Sequence, residues 1–186
     1  MQKMKAKDIL VPCITLFLIC MIVTACLVVI NSLTKDTIAK QEEQKKSDSC
    51  KLVLSQAKEF EEIKSGDSTY YVGKDESGEV IGYSFITSAK GYGGDISVMT
   101  GISSKDDKVT GVVILSQNET PGLGANAEKE TFTQQYKSSV PDEGFSVVKS
   151  SAQDGQIQAL TGATISTNAV TDAVNSALEQ YKNISE

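Results

Sequence analysis

The chain has no histidine and no arginine in its 186 residues, and each absence closes off a class of chemistry. Without histidine there is no Ser–His or Cys–His nucleophile pair, and the commonest haem and zinc ligand is missing. Four cysteines, at 13, 20, 26 and 50, match neither iron–sulfur nor zinc spacings, so no metal site is expected. Carboxylates are scattered rather than grouped, and no catalytic residue is expected from them. The charge balance excludes further partners. Beyond residue 30 there are 15 lysines (18 less Lys3, Lys5 and Lys7) against 23 acids (24 less Asp8), a net charge of −8. That argues against nucleic acid and against anionic lipid surfaces.

What is present in excess is an uncharged run. Residues 9–30 contain 22 positions without a charge, which as a helix span about 33 Å, the thickness of a hydrocarbon core. They predict a transmembrane helix, with Pro12 in its first turn, where a missing N–H matters little. Lys3, Lys5 and Lys7 precede the run and only Lys35 and Asp36 follow closely. The positive-inside rule therefore sets residues 1–8 in the cytoplasm and the 156 residues after the span outside the cell membrane. A cleaved secretory signal has a shorter core and a small-x-small site, which does not fit 22 apolar residues running into Asn31. Val23-Thr24-Ala25-Cys26 also reads as a lipobox with Cys26 lipidated, although Leu27-Val28-Val29-Ile30 continues the apolar run where a lipoprotein turns polar. Either reading leaves the rest of the chain at the outer face. Thr15, Thr24 and Ala25 are suited to facing a neighbouring helix. Cys50 is the single thiol beyond the span and has no partner for an intrachain disulfide.

After the span, residues 31–66 read as a helical stalk: 34–49 are dense in Lys, Glu, Gln and Asp, and 51–63 place Val53, Ala57 and Phe60 at i, i+4, i+7. From residue 67 the period changes. Segments 68–72, 79–88, 96–102 and 109–116 are rich in Val, Ile, Tyr, Thr and Phe and are separated by hairpin-length polar loops. A helix is expected over 128–137 and a further strand over 145–150. The last helix carries Ala169, Val170, Ala173, Val174, Ala177, Leu178 and Tyr181 on one face, with Asn168, Asp172, Asn175, Glu179 and Lys182 opposite. Residues 67–186 are thus expected to form one α+β domain, with a mostly antiparallel sheet and this helix packed on it.

The run Thr161-Gly162-Ala163-Thr164-Ile165-Ser166-Thr167 sets four hydroxyls around a Gly-Ala pair at the start of that helix, with Ser166 or Thr167 as the expected N-cap. The first turn of a helix offers unpaired N–H groups and the positive end of the dipole, so an anion is stabilised there without a basic side chain. The plainer reading is an ordinary capped helix with a turn before it. Upstream, Glu119-Thr120-Pro121-Gly122-Leu123-Gly124 contains a Pro-Gly pair suited to the centre of a type II turn, and Gly122, Leu123 and Gly124 offer bare backbone and apolar cover to a flat ring. Glycine-rich turns are commonly just turns. Gly91-Tyr92-Gly93-Gly94 lacks the spacing of a dinucleotide fingerprint. Tyr92 reads either as cover for a ring or as an ordinary hairpin tyrosine.

Together these blocks, over residues 70–182, resemble the FMN-binding domain family shared by the G subunit of the Rnf electron-transport complex and the C subunit of the sodium-pumping NADH:quinone reductase. Thr161-Gly162-Ala163-Thr164 is similar to that family's [Ser/Thr]-Gly-Ala-Thr attachment motif, and Glu119-Thr120-Pro121-Gly122-Leu123-Gly124 to its Glu-Thr-Pro-Gly-Leu-Gly loop. The resemblance implies FMN joined through its phosphate to Thr164 as a phosphoester, by a separate flavin transferase that works outside the cytoplasmic membrane with FAD as donor. Thr161, Gly162, Ala163, Ser166, Thr167, Glu119, Thr120, Gly122, Leu123 and Gly124 become the further candidate cofactor contacts. One departure stands: the family often carries Asp three residues before the first hydroxyl of the motif, where this chain has Gln158, and Asp154 is too far upstream to replace it.

The implied role is electron transfer among subunits of a membrane complex during ferredoxin:NAD⁺ oxidoreduction coupled to ion transport, with the chemistry at ferredoxin and NAD in other subunits. The 186-residue length leans toward the Rnf subunit over the quinone reductase subunit. A free-standing anchored flavoprotein and a non-redox surface module, in which Thr164 merely leads into a helix, are the remaining classes.

Overall fold

The computed structural model describes residues 6–65 and 68–185. Lys3 and Lys5, used above for orientation, and Gly66-Asp67, where the sequence period changes, lie outside them. The chain divides into two compact units, Met1–Gln44 and Lys45–Glu186.

Helix α1, Ala6–Val53, supplies the first unit up to Gln44. Its large apolar side chains from Leu10 to Leu33 are exposed, and by length and composition this stretch is able to cross a membrane. Pro12 lies inside the helix, not in the first turn as expected, because helical geometry already begins at Ala6. Its missing N–H removes one i→i−4 bond from the interior. Nearby hydroxyls are satisfied inside the helix: Thr15 donates to the Val11 carbonyl at 2.8 Å and Thr34 to that of Ile30 at 2.9 Å.

The second unit is built on a five-stranded antiparallel meander: β1 (Glu59–Ser65), β2 (Ser68–Lys74), β3 (Val80–Lys90), β4 (Asp95–Ser103) and β5 (Lys108–Ser116), in spatial order β1-β2-β3-β4-β5. Four of these strands match the alternating segments of the sequence. The first does not: the sequence reads 51–63 as helix and 31–66 as a helical stalk, whereas α1 stops at Val53 and β1 pairs with β2 along its whole length, Glu59↔Lys74 to Ser65↔Ser68. Val53, Ala57 and Phe60 do share one apolar cluster, to which Phe60 is contributed by β1 itself. Strand pairing overrides the helix-favouring Glu and Lys content, and the three glutamates of β1 instead blunt an edge strand.

Each face of the sheet is covered. On one face Cys50, Val53, Leu54 and Ala57 pack with Ile81 and Met99. A Cβ on Gly101 would stand 2.7 Å from Val53 Cβ, so the end of α1 rests on a bare patch of strand. Thr110 Oγ1 donates to the Val53 carbonyl and closes the helix end. Burial pushes the Cys50 thiol up to about 11.

On the opposite face lies α3, Thr164–Ser185. All seven of its expected stripe residues are buried, against Phe85, Ile96, Val98 and Ile102 of the sheet. Three alanines in that stripe bring the helix close enough for Thr87 Oγ1 to donate to the Ala173 carbonyl at 2.7 Å. The segment 128–137 is not one helix but a 3₁₀ turn Gly124–Glu128, a short α2 (Glu130–Thr133) and a second 3₁₀ turn Gln134–Tyr136. Phe132 and Tyr136 are buried nonetheless, and the Tyr136 hydroxyl meets Thr171 Oγ1 on α3 at 2.8 Å. Of the expected strand 145–150 only β6, Ser146–Val148, forms. It pairs in parallel with β7, Gln156–Gln158, which the sequence does not announce. Asn175 of α3 ties this pair down by bonding both the N–H and the carbonyl of Phe145, at 2.8 and 2.9 Å.

Candidate functional site

Two turns of one kind bound a cleft at the start of α3. In the first, the Leu123 N–H donates to the Thr120 carbonyl at 3.1 Å around Pro121 and Gly122, with Gly122 at φ +81°. In the second, the Ala163 N–H donates to the Leu160 carbonyl at 3.0 Å around Thr161 and Gly162, with Gly162 at φ +75°. Positive φ at the third residue is the type II pattern and is the reason each turn has glycine there. The turns meet: a Cβ on Gly162 would stand 3.3 Å from Leu123 Cδ2. Asn126 Nδ2 holds the first turn by donating to the Gly122 carbonyl at 2.7 Å.

A third segment, the β3–β4 hairpin loop, closes against them. The Gly91 N–H donates to the Gly94 carbonyl at 2.8 Å, and a Cβ on Gly93 would lie 2.1 Å from the Asn118 carbonyl oxygen, so backbone runs against backbone there. Glu119 joins all three segments. It is 6% exposed; its Oε1 accepts the Gly93 N–H at 2.9 Å and its Oε2 accepts the Ser166 hydroxyl at 2.7 Å. Its own N–H donates to Gln117 Oε1.

Helix α3 begins at Thr164, so the cap position falls to Ala163 and not to Ser166 or Thr167. The Thr167 N–H already donates to the Ala163 carbonyl at 3.0 Å, an intrahelical bond. Thr167 Oγ1 donates to the same carbonyl at 3.0 Å and accepts the Leu160 N–H at 3.1 Å. It is a buried brace for the turn. Among the described residues, no protein acceptor takes up the N–H groups of Thr164, Ile165 or Ser166, and the Thr164 hydroxyl has no internal partner. Thr164 itself is half-buried. Three N–H groups without protein acceptors at the positive end of a 22-residue helix are an arrangement able to stabilise an anion.

The cleft has a volume of about 440 Å³ and is lined by Glu119, Thr120, Leu123, Gly124, Gly162, Ala163 and Ser166, together with Tyr92 and Ile165. That size lies in the range of ligand pockets. Its rim is apolar: Tyr92, Leu123 and Ile165 are 74%, 44% and 55% exposed. Large apolar groups held in solvent on three separate segments around one cleft suit a flat aromatic ligand. The structure therefore brings Glu119, Thr120, Leu123, Gly124, Gly162, Ala163 and Ser166 together on one cleft, whereas Thr161, Gly122, Thr164 and Thr167 are not among its lining residues, Thr164 standing beside it at the helix start between Ala163 and Ile165. Gly122 is exposed at the tip of its turn, and a Cβ added there would meet nothing within 4 Å. Thr161 opens instead into a shallow groove of about 220 Å³ with Thr131, Gln135 and Gln158. The Gln158 N–H there is bonded to Gln135 Oε1 at 2.8 Å. Ile165 escaped sequence reasoning because it falls four residues before Ala169, in phase with the buried stripe. It is nonetheless exposed, on the rim of the cleft.

Fold and site define an α+β domain with an open, apolar-rimmed cleft at a helix start, in a chain that also carries a helix able to cross a membrane. Comparison with known proteins agrees with that class and narrows it. Residues 91–179 match the FMN-binding domain model and residues 1–52 the RnfG N-terminal region model. The chain is 35% identical to the G subunit of the Na(+)-translocating ferredoxin:NAD(+) oxidoreductase complex of Acetobacterium woodii, over 92% of this chain and 90% of that one. It is 36% identical to the G subunit of the proton-translocating ferredoxin:NAD(+) oxidoreductase complex of Clostridium ljungdahlii, over 80% and 78%. It is 31% identical to the G subunit of the ion-translocating oxidoreductase complex of Methanosarcina acetivorans, over 94% and 95%. The crystal structure of the C subunit of Na(+)-translocating NADH-quinone reductase from Parabacteroides distasonis superposes with a TM-score of 0.57 at 20% identity, over 78% of this chain and 94% of that one. That of Shewanella oneidensis NqrC superposes with a TM-score of 0.52 at 21% identity, over 64% of each. The chain belongs to the family of G subunits of ion-translocating oxidoreductase complexes and carries that family's FMN-binding domain.

Proposed function

We propose that this chain is the flavin-bearing subunit of a membrane ferredoxin:NAD⁺ oxidoreductase that couples electron flow to ion movement, with FMN attached through its phosphate to Thr164 as a phosphoester. Bound FMN supplies a group that accepts and returns electrons. The protein supplies its place. The free N–H groups of Thr164, Ile165 and Ser166 would hold the phosphate, Tyr92, Leu123 and Ile165 would cover the ring, and the Gly162 and Gly122 turns would let backbone approach it. No lysine lines the cleft, so the cradle relies on backbone dipoles for the phosphate charge.

One observation carries the reading. Of the three hydroxyls between 164 and 167, those of Ser166 and Thr167 are committed to Glu119 and to the Leu160–Ala163 turn, while that of Thr164 is unpartnered at the helix start. Thr161 precedes the helix and opens into a different groove, so the free N–H groups of the first turn favour Thr164. The lysines before the apolar stretch support an outward-facing domain, where a flavin transferase using FAD would act and where a covalent link keeps the cofactor from being lost. The other subunits of the complex are the proposed electron partners. The alternative, the C subunit of a sodium-pumping NADH:quinone reductase, shares the fold. The match of residues 1–52 to the RnfG region and 35% against 20% identity favour the Rnf-type G subunit.

The test is intact mass and peptide mapping of the chain coexpressed with a flavin transferase, beside Thr164→Ala. We expect the mass of FMN less one water on the peptide bearing Thr164, absent from the variant. An unmodified chain, with the transferase active on a control substrate, would overturn the reading and implicate Gln158 or a purely structural motif.

A further inference from the structure

The wall of the cleft is neutral except at one point. Among the described residues lining it, Glu119 is the single charged side chain, and no lysine pairs with it. Its burial is built in. Cβ atoms on Gly91 and Gly124 would come within 2.4 Å of Glu119 Oε1 and 2.5 Å of Glu119 Oε2, so two loops have been stripped of side chains around this carboxylate.

The clasp itself does not require a charge. A glutamine has the same shape, and its amide would accept the Gly93 N–H through oxygen and donate to Ser166 Oγ through nitrogen. A carboxylate in the same place accepts at both oxygens, from the Gly93 N–H and from the hydroxyl of Ser166, which stands on the first turn of α3. An isosteric neutral residue would join the loops equally well, so a carboxylate as the one charged side chain of the cleft calls for a role beyond tying segments together.

We propose that Glu119 is a positioning and tuning residue that holds the reduction potential of the flavin low. This rests on the reading above, that FMN occupies the cleft. With FMN in the cleft, an electron gained by the ring without a proton would add a negative charge to a cleft in which Glu119 is the one charged side chain among the described lining residues. In a partly desolvated site that repulsion is weakly screened, so the reduced form is disfavoured.

The test is a spectroelectrochemical titration of the flavin-loaded full chain, with dithionite as reductant and ferricyanide as oxidant, for the parent, Glu119→Gln and Ser166→Ala. Glu119→Gln keeps the clasp and removes the charge, and its midpoint is expected to move to more positive potential. Ser166→Ala keeps the charge and removes the donor on Oε2, and its midpoint is expected to move to more negative potential. Opposite shifts support the proposal. Unchanged midpoints in both variants, at parental flavin content, overturn it and leave Glu119 a structural clasp. If Glu119→Gln fails to load, the sign of the Ser166→Ala shift decides. A parent chain that carries no flavin when the transferase is active overturns the underlying reading, and the proposal with it.

Discussion

The two ends of α3 are built on opposite principles. From Ala169 to Tyr181 the helix is complete: its stripe is buried, its alanines let it sit close to the sheet, and Thr171 and Asn175 bond to Tyr136 and to the Phe145 backbone. From Thr164 to Ser166 it is left incomplete: three N–H groups lack partners, one hydroxyl is free, and Ile165 stands in solvent. A single element thus serves as a rigid mount at one end and an open cradle at the other. A ligand held at the open end costs the protein little reorganisation, because the packed end fixes the direction of the dipole.

That contrast can be broken from its packed end. Val174→Asp places an unpaired carboxylate in a fully buried position and should destabilise the second unit by about 4 kcal/mol. Denaturant unfolding of the purified chain checks this, and a loss below about 1 kcal/mol would mean the helix is less tightly mounted than described. At the boundary of the two ends, Thr167→Val keeps the shape and removes the bonds to the Leu160 N–H and Ala163 carbonyl, one of which is left buried and unpaired. The expected loss is about 1–2 kcal/mol, with reduced flavin loading because the Gly162 turn loosens. At the open end, Thr164→Ala should change stability by no more than about 0.5 kcal/mol while abolishing flavin attachment. A large stability loss there would show that Thr164 belongs to the packing after all.

The sheet's other face sharpens the same contrast through pH. Cys50 is raised from an ordinary 9.0 to about 11 by burial, so the unfolded chain loses this proton first as pH rises. Its contribution is intact below pH 9 and is lost between pH 9 and about 11. The stability of the parent should fall over that interval more than that of Cys50→Ala, and the Cys50 thiol should resist alkylation at pH 8 until the chain unfolds. Equal slopes in the two proteins would place Cys50 in contact with water.

Much of the architecture could be read from residue patterns because it depends on local rules. Strand alternation predicts β2 to β5, a 3.6-residue period predicts the buried face of α3, and Pro-Gly predicts the turn at Thr120 to Leu123 with positive φ at Gly122. The failures share another cause. Residues 59–65 carry helix-forming side chains and became strand through pairing with β2; β6 and β7 are three residues each and exist only because they pair across an intervening loop. The expected caps Ser166 and Thr167 proved to be an anchor for Glu119 and a brace for the preceding turn. Sequence spacing shows which hydroxyls are near a helix start but not which are already engaged by distant groups.

By itself, then, the sequence determined the elements whose signal lies within one segment: an apolar run long enough to cross a membrane, the strand and helix periods, the two glycine turns and the hydroxyl motif before α3. Backbone sterics and the burial of one face act over a few residues and leave their mark in order and spacing. Tertiary structure alone decided which of those features form a site. Residues 92, 119 and 165 are far apart in the chain, and only the antiparallel meander and the docking of α3 bring Tyr92, Glu119 and Ile165 to one cleft. Which hydroxyl stays free and which carboxylate becomes buried depend on contacts between those segments, and such contacts have no period to be read.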